Sequence, residues 1–177
     1  MNKGIEACRW RDLSWYINFV LWAVENGITS GMDATHFGPD VNVTRAQVVT
    51  FLYAAAGKPE PKTTVNPFED VAESDWFYDA VLWAVENGIT NGMDATHFGP
   101  NNTCVREQVV TFLYAAADKP ETSAAVSFTD VVPGDWYYAP VAWAVENGIT
   151  SGMGDGTFGV GNTCTRAQIV TFLYAAK

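Results

Sequence analysis

An internal repeat of about sixty residues is the feature that most constrains the fold of this chain. The sequence Leu-Trp-Ala-Val-Glu-Asn-Gly-Ile-Thr at 21–29 recurs unchanged at 82–90, and all but its first residue recurs at 143–150. Repeats of this length are typical of small modules that stack on their neighbours. One module is too small to bury its own apolar face, so the three copies are expected to pack together.

The first half of each copy is predicted to form a helix. In the second copy this helix should begin at Asp75-Trp76 and end at Asn87-Gly88, where the glycine suits a helix C-cap. Apolar residues at helical spacing should form its buried face, namely Phe77, Val81, Ala84 and Val85.

The second half of each copy predicts another helix, which opens with a capping box. Thr44 should cap the helix of the first copy and Gln47 should reach back to it, and Thr165 and Gln168 repeat this pair. Val105 replaces the capping threonine in the second copy, so that helix should begin less firmly, by about 1 kcal/mol. The buried stripe is predicted at Val49, Leu52, Tyr53 and Ala56.

These elements predict an all-α fold of three helix-loop-helix copies. The outer copies resemble the middle one and lack distinct polar caps, which favours closure into a pseudo-threefold unit over an open solenoid. The expected boundaries are 1–57, 66–117 and 126–177, with Pro-containing linkers at 58–65 and 118–125 and one folded unit overall.

The net charge of the chain limits the classes of partner that it can bind. Ten Lys and Arg against twenty Asp and Glu give a net charge of −10, which argues against nucleic acid as a partner. An anionic ligand would need a few locally placed arginines. No apolar stretch approaches the roughly 18 residues that span a membrane, so no insertion is expected. The opening residues lack the apolar core of a signal peptide, which leaves two alternatives: a cytoplasmic protein that starts at Met1, or a part of an exported one.

The three cysteines show no metal-ligand spacing. Cys104 and Cys164 occupy equivalent positions just before the second helix, and Cys8 lies near the start. We expect the equivalent pair to be small buried hydrophobes rather than a disulfide or metal ligands.

Several motifs resemble the S-layer homology module. The opening is carried by Phe68-x-Asp70-Val71 with Trp76-Phe77-Tyr78, and by Phe128-x-Asp130-Val131 with Trp136-Tyr137-Tyr138. The Trp-Ala-Val-Glu-Asn-Gly-Ile run, the loop that ends in Phe-Gly-Pro at 37–39 and 98–100, and Thr-Arg-Ala-Gln at 44–47 and 165–168 complete the match, which covers nearly the whole chain.

The resemblance implies a three-pronged spindle, with first helices bundled at the centre and second helices forming the prongs. It also implies a non-enzymatic protein of the bacterial cell surface. Such a protein binds pyruvylated cell-wall polysaccharide in grooves between modules, through the arginine of the Thr-Arg-Ala motif.

Three features depart from the family pattern. The first copy has Ala7-Cys8-Arg9-Trp10 at the position of Phe-x-Asp-Val, glutamine replaces the acid of the motif, and Ala54, Ala115 and Ala175 stand where an arginine is common. A cytosolic module that uses the same spindle to bind a protein or a small anion therefore remains an alternative.

The arginines are the leading site candidates, because a guanidinium beside free helix N–H groups makes a good carboxylate site. The alternative is a structural ion pair with Asp70, Asp130 or a loop acid. Trp22, Trp83 and Trp143 either stack on a sugar or form the interface between copies. The candidate ligand-binding residues are Arg45, Arg106, Arg166, Gln47, Gln108, Gln168, Trp22, Trp83, Trp143, Asp70, Asp130, Gly31, Gly92 and Gly152.

Other residues are given non-ligand roles. Trp15, Trp76 and Trp136 are expected to act as staples that pack over the first helix. His36 and His97 are expected to be solvated loop residues, because the third copy has Thr157 instead. No catalytic group, metal ligand or cofactor site is predicted.

Overall fold

A computed structural model of the protein describes residues 15–177, and this part is all-α. The altered start of the first copy, Ala7 to Trp10, and Cys8 lie outside the described residues. The helices are α1 (Ile17–Glu25), α2 (Arg45–Ala55), α3 (Tyr78–Glu86), α4 (Arg106–Ala116), α5 (Tyr138–Glu146) and α6 (Arg166–Ala175).

The predicted capping boxes are confirmed at two second helices. The amide of Gln47 donates to Thr44 Oγ1 at 3.4 Å, and the amide of Thr44 donates to Gln47 Oε1 at 3.1 Å. The same reciprocal pair opens α6. At α4, Val105 has no side-chain acceptor, and only the bond from its amide to Gln108 Oε1 remains, at 3.3 Å.

The first helices begin later than predicted. In the second copy α3 begins at Tyr78, not at Asp75-Trp76. Asp75 is used in the turn before the helix, because its carboxylate accepts the Ala72 amide at 2.8 Å and its carbonyl accepts the Tyr78 amide at 3.0 Å. This turn leaves Trp76 outside the helix.

Helix contacts join the copies in order and also join the last to the first. Each second helix contacts the first helix of the next copy, as α2 with α3, α4 with α5, and α6 with α1. The second helices also contact one another pairwise, whereas no such contact joins α1, α3 and α5 within residues 15–177. The expectation that first helices occupy the centre is therefore wrong.

Burial explains why the second helices take the central position. The predicted stripe on α2 is too narrow, since residues on most of its sides are buried, namely Ala46, Val48, Val49, Phe51, Leu52 and Ala54. Ala56, predicted in the stripe, is exposed at the C-cap. A helix that is apolar nearly all round is buried among other elements.

A ring of backbone hydrogen bonds ties the three copies together just before their second helices. The Val43 amide donates to the Cys164 carbonyl at 2.9 Å, Cys104 donates to Val43 at 2.9 Å, and Cys164 donates to Cys104 at 3.0 Å. This ring joins the first copy to the third as well as to the second. The pseudo-threefold symmetry and the pronged outline stay predictions.

The two equivalent cysteines are fully buried beside this ring. Burial raises the pKa of Cys104 and of Cys164 to about 12. Both therefore carry protonated thiols at neutral pH, which fits packing as small hydrophobes.

Candidate functional site

Each of the three motif arginines reaches from its own copy into the loop of the next copy. Their side chains are buried, with only 3–4% of their surface exposed. In every case Nε donates to the carbonyl of a buried loop phenylalanine: Arg45 to Phe98 at 2.9 Å, Arg106 to Phe158 at 3.0 Å and Arg166 to Phe37 at 2.7 Å.

Two phenylalanine rings flank each guanidinium. Arg166 lies 4.9 Å from the centre of the Phe37 ring and 5.4 Å from that of Phe51, and both rings belong to the first copy. The other two arginines are flanked in the same way, Arg45 by Phe98 and Phe112, and Arg106 by Phe158 and Phe172. Such cation–π contacts are worth about 2 kcal/mol when desolvated, so the arginines also hold adjacent copies together.

The terminal nitrogens of these arginines make few hydrogen bonds to the described residues. Nη2 of Arg45 donates to the Thr90 hydroxyl and Nη2 of Arg166 to that of Thr29, at 3.4 and 3.3 Å. Arg106 donates to the described residues only through Nε. No hydrogen bond from the Nη groups of Arg106 occurs within residues 15–177, and only 3% of the residue is exposed.

The structural ion pairs considered for the arginines do not form within residues 15–177. At salt-bridge distance the described residues show only the contacts of His36 and His97 with neighbouring loop aspartates. Desolvation lowers the pKa of each arginine, yet all three stay charged at neutral pH because arginine titrates far above it. A buried cation without a carboxylate at salt-bridge distance is a good anion-binding group.

Two grooves contain these arginines. The Arg166 groove, of about 720 Å³, runs along the loop 29–32 of the first copy and is also lined by Gln47, Lys58 and Trp76. The Arg106 groove, of about 330 Å³, runs along the loop 149–153 and is also lined by Gln168 and Trp15. Each groove therefore combines residues of successive copies.

Exposed tryptophans in these grooves, Trp76 and Trp15, are candidate site residues that the sequence interpretation did not name. Trp15, Trp76 and Trp136 were expected to pack over the helix as staples, but all three are mainly exposed. Each ring stands edge-on to the aromatic residue that follows it. The available signal was the recurrence of a tryptophan beside the turn that precedes each first helix, where packing does not require it.

Two of the three predicted glycines and two of the three predicted glutamines line the arginine grooves. Gly31, Gly92 and Gly152 have positive φ angles of 94°, 86° and 81°, which favour glycine. Gly31 and Gln47 line the Arg166 groove, and Gly152 and Gln168 line the Arg106 groove. The structure thus brings six of the fourteen predicted residues into these two grooves, and Arg45, Gly92 and Gln108 line neither of them.

Asp70 and Asp130 instead bind the backbone amides of the loops. Asp70 accepts the amides of Phe98 and Gly99, both at 2.8 Å. Asp130 accepts those of Phe158, Gly159 and Val160, at 2.7, 2.8 and 2.9 Å. Burial raises the pKa of Asp130, but these amide bonds outweigh it and the net shift is downward.

Trp22, Trp83 and Trp143 lie at the other end of the central helices. They line a pocket of about 430 Å³, which we name the tryptophan pocket, together with residues from the C-terminal ends of α2, α4 and α6. Each ring packs on a tyrosine of a second helix: Trp22 on Tyr174, Trp83 on Tyr53 and Trp143 on Tyr114. They are thus interface residues between copies, separate from the arginine grooves.

The loop histidines are exposed, as expected. His36 Nδ1 lies 3.0 Å from the Asp33 carboxylate and His97 Nδ1 lies 3.1 Å from that of Asp94. The hydrogen bond to Asp94 raises the pKa of His97. Within residues 15–177 no cluster of three metal-ligating side chains occurs.

The repeat, its cyclic contacts and its arginine motif agree with a comparison to protein families. The S-layer homology domain matches at 12–49, 67–110 and 127–170, which is most of the chain. The chain belongs to the S-layer homology family. Its three copies form a cell-surface anchoring module. No helix in the described part is both long and apolar enough to span a membrane.

Related proteins are much longer than this chain. A surface-layer 125 kDa protein of Lysinibacillus sphaericus is 33% identical over 132 residues, which cover 73% of this chain and 11% of that protein. The S-layer protein sap of Bacillus anthracis is 26% identical over 162 residues, covering 90% and 20%. An endoglucanase of Bacillus sp. (strain KSM-635) is 28% identical over 123 residues, covering 70% and 13%. The chain spans about a tenth to a fifth of these relatives.

Proposed function

We propose that this S-layer homology module binds an acidic, pyruvylated cell-wall polysaccharide through the Arg166 and Arg106 grooves, without catalysis. The observation that carries the proposal is the placement of a desolvated guanidinium and an exposed tryptophan in one groove. Arg166 shares its groove with Trp76, and Arg106 shares its groove with Trp15.

The chemistry of the grooves fits an acidic sugar. A guanidinium can donate two parallel hydrogen bonds to a carboxylate, and an aromatic face packs against the apolar face of a sugar ring. The net charge of −10 disfavours general adhesion to anionic surfaces, so affinity for a polyanion must come from local cations such as Arg166 and Lys58.

The proposed location is the bacterial cell wall. Support comes from relatives whose names place them in surface layers, and from the endoglucanase, in which this region is a small part of a much longer enzyme. The module is proposed to attach a larger protein to the wall.

The test is binding to cell-wall sacculi that retain or lack their secondary polysaccharide. The wild-type chain should bind the first preparation and not the second. A Trp15→Ala/Trp76→Ala double variant should bind at least about tenfold more weakly, equivalent to about 1.4 kcal/mol. Equal binding to both preparations would contradict the proposal.

Matched variants separate binding from folding. Val65 is 73% exposed in the first linker and lines neither groove, so Val65→Ala should bind as the wild type does. Arg166→Lys keeps the positive charge but removes the planar guanidinium. The lysine ammonium cannot bind both the Phe37 carbonyl and a ligand carboxylate in the way that the guanidinium can. It should weaken binding at temperatures where circular dichroism shows that it is folded.

A further inference from the structure

The tryptophan pocket joins all three copies at the C-terminal ends of the central helices. Each copy contributes one tryptophan and one leucine to its lining, namely Trp22, Trp83, Trp143, Leu52, Leu113 and Leu173. It shares only Ile28 with the Arg166 groove and no residue with the Arg106 groove. Its volume of about 430 Å³ is that of a site for a small ligand.

The pocket is bounded by the last turns of helices and by the residues just after them. In the second and third copies, the segments that precede the first helix, 62–75 and 122–135, contribute nothing to its lining. The opening of the pocket therefore does not depend on the segment that precedes a first helix.

The ends of three helix dipoles give the pocket a negative potential. Its lining includes Ala55 at the end of α2, Ala116 at the end of α4 and Ala176 just after α6. The C-terminal end of a helix carries roughly half a negative charge. None of the three helices has a basic residue in its last turn. A cation is therefore favoured in this pocket.

One cation of the chain already lies on the aromatic wall of the pocket. Lys177 Nζ is 3.6 Å from the centre of the Tyr174 ring and 5.2 Å from that of the Trp22 ring. Lys177 is also the only charged side chain among the described residues that line the pocket. The wall of the pocket thus holds an ammonium group through aromatic rings, without a carboxylate.

The other two copies have no lysine at the equivalent position. Lys177 follows its tyrosine by three residues, and Ala56 and Ala117 stand three residues after Tyr53 and Tyr114. Both alanines are exposed and line the pocket. The tryptophan–tyrosine pairs of these copies therefore carry no cation of their own within the described residues.

The lining also limits the kind of cation. It is mainly aliphatic and aromatic, and the amide nitrogen of Asn26 is already used on the Trp22 carbonyl at 2.8 Å. An ammonium group with three N–H donors needs acceptors that such a lining supplies poorly. A quaternary ammonium group has no N–H donor and is held by aromatic rings alone.

We propose that the tryptophan pocket binds a small quaternary ammonium compound, with its methyl groups against the tryptophans and its charge toward the three helix ends. This site does not depend on the proposed glycan binding. The probe is choline, titrated into the full chain while the indole N–H signals are followed by nuclear magnetic resonance. The signals of Trp22, Trp83 and Trp143 should shift, and those of Trp76 and Trp136 should not.

A neutral ligand of the same shape separates charge from apolar contact. The alcohol in which carbon replaces the nitrogen of choline should bind at least about tenfold more weakly. Equal affinity for this alcohol would overturn the proposal, as would shifts confined to Trp76 and Trp136 or no shift at all.

Protein variants give a second test. Ala117→Lys places a lysine at the position equivalent to Lys177, so it should compete intramolecularly and weaken choline binding at least about tenfold. Lys177→Met should strengthen binding, because it removes the resident cation. Lys62→Met, at an exposed position outside the pocket, is the control and should bind as the wild type does. Unchanged affinity in folded Ala117→Lys would contradict the proposal, whereas its sacculus binding should equal that of the wild type.

Discussion

The N-terminal and C-terminal ends of the central helices use the same kinds of residue for different purposes. At the N-terminal ends, Arg106 and Arg166 line grooves that also contain exposed tryptophans. At the C-terminal ends, Trp83 and Trp143 are buried against tyrosines and line the tryptophan pocket. The sequence interpretation included both among the candidate ligand-binding residues and left the tryptophans as either sugar-stacking or interface residues, whereas the molecule separates them from the arginines.

The difference teaches that recurrence in all three copies does not by itself indicate function. Trp83 recurs because it fills the contact between a first helix and the preceding second helix. Trp76 recurs although 66% of its surface is exposed. Exposure of a large aromatic residue at equivalent positions is the stronger sign of a binding surface.

The largest expected effect is the loss of a tryptophan at the C-terminal end. Trp83 is 8% exposed, so Trp83→Ala should lower the free energy of unfolding by about 3–5 kcal/mol. Urea denaturation followed by circular dichroism measures this. Sacculus binding per folded molecule should stay unchanged, and its selective loss would place the ligand at the tryptophan pocket instead.

The next effect concerns the aspartate that holds a loop at the N-terminal end. Because the pKa of Asp130 is lowered on folding, its stabilisation is complete above the ordinary value of 3.8 and is lost as pH falls through the lower folded value. Asp130→Asn should lower the free energy of unfolding by roughly 2 kcal/mol at neutral pH. It should also make the decrease in stability at acid pH less steep.

Thermal unfolding between pH 6 and pH 2.5 measures the difference. Asp118→Asn, in the exposed second linker, is the matched control and should follow the wild-type profile. An unchanged acid limb in Asp130→Asn would mean that this carboxylate does not hold the loop.

A smaller effect, an increase in stability, is expected from a substitution at the start of α4. Val105→Thr should restore the missing cap that Thr44 and Thr165 supply in the other copies, and raise stability by about 1 kcal/mol. The denaturation midpoint measures this gain. Thr44→Val is the reciprocal variant, and its free energy of unfolding should fall by a similar amount. If both variants unfold at the wild-type midpoint, side-chain capping does not contribute to stability.

The smallest effect on stability is expected for Trp76→Ala. Substitutions at exposed positions usually change stability by less than about 0.5 kcal/mol. Its effect on sacculus binding should nevertheless exceed that of Trp83→Ala, which makes the pair a direct test of the two ends. A large stability loss in Trp76→Ala would show that this ring is structural.

Much of the local structure could be predicted from the sequence. Thr44 and Gln47 form the predicted box because capping depends on residues only three positions apart. The buried loop phenylalanines and the positive φ of Gly92 follow equally from local turn chemistry.

What the sequence could not determine is how the copies face one another. Apolar residues on α2 fit a single stripe or a helix buried nearly all round, and only contacts over long sequence distances decide between them. The same limit applies to Arg45, whose Nε partner is a carbonyl 53 residues away in the next copy. A sequence pattern describes side chains, so it does not indicate which backbone carbonyl will lie beside an arginine.

The ring formed by Val43, Cys104 and Cys164 also bears on how the chain folds. The hydrogen bond between Val43 and Cys164 joins residues more than a hundred positions apart, so the polymer entropy of a long loop must be overcome before it forms. Neighbouring copies can associate as soon as both are synthesised, but the last interface waits for the third copy. High contact order of this kind slows folding, and it makes the final interface the step at which partly assembled chains remain open to aggregation.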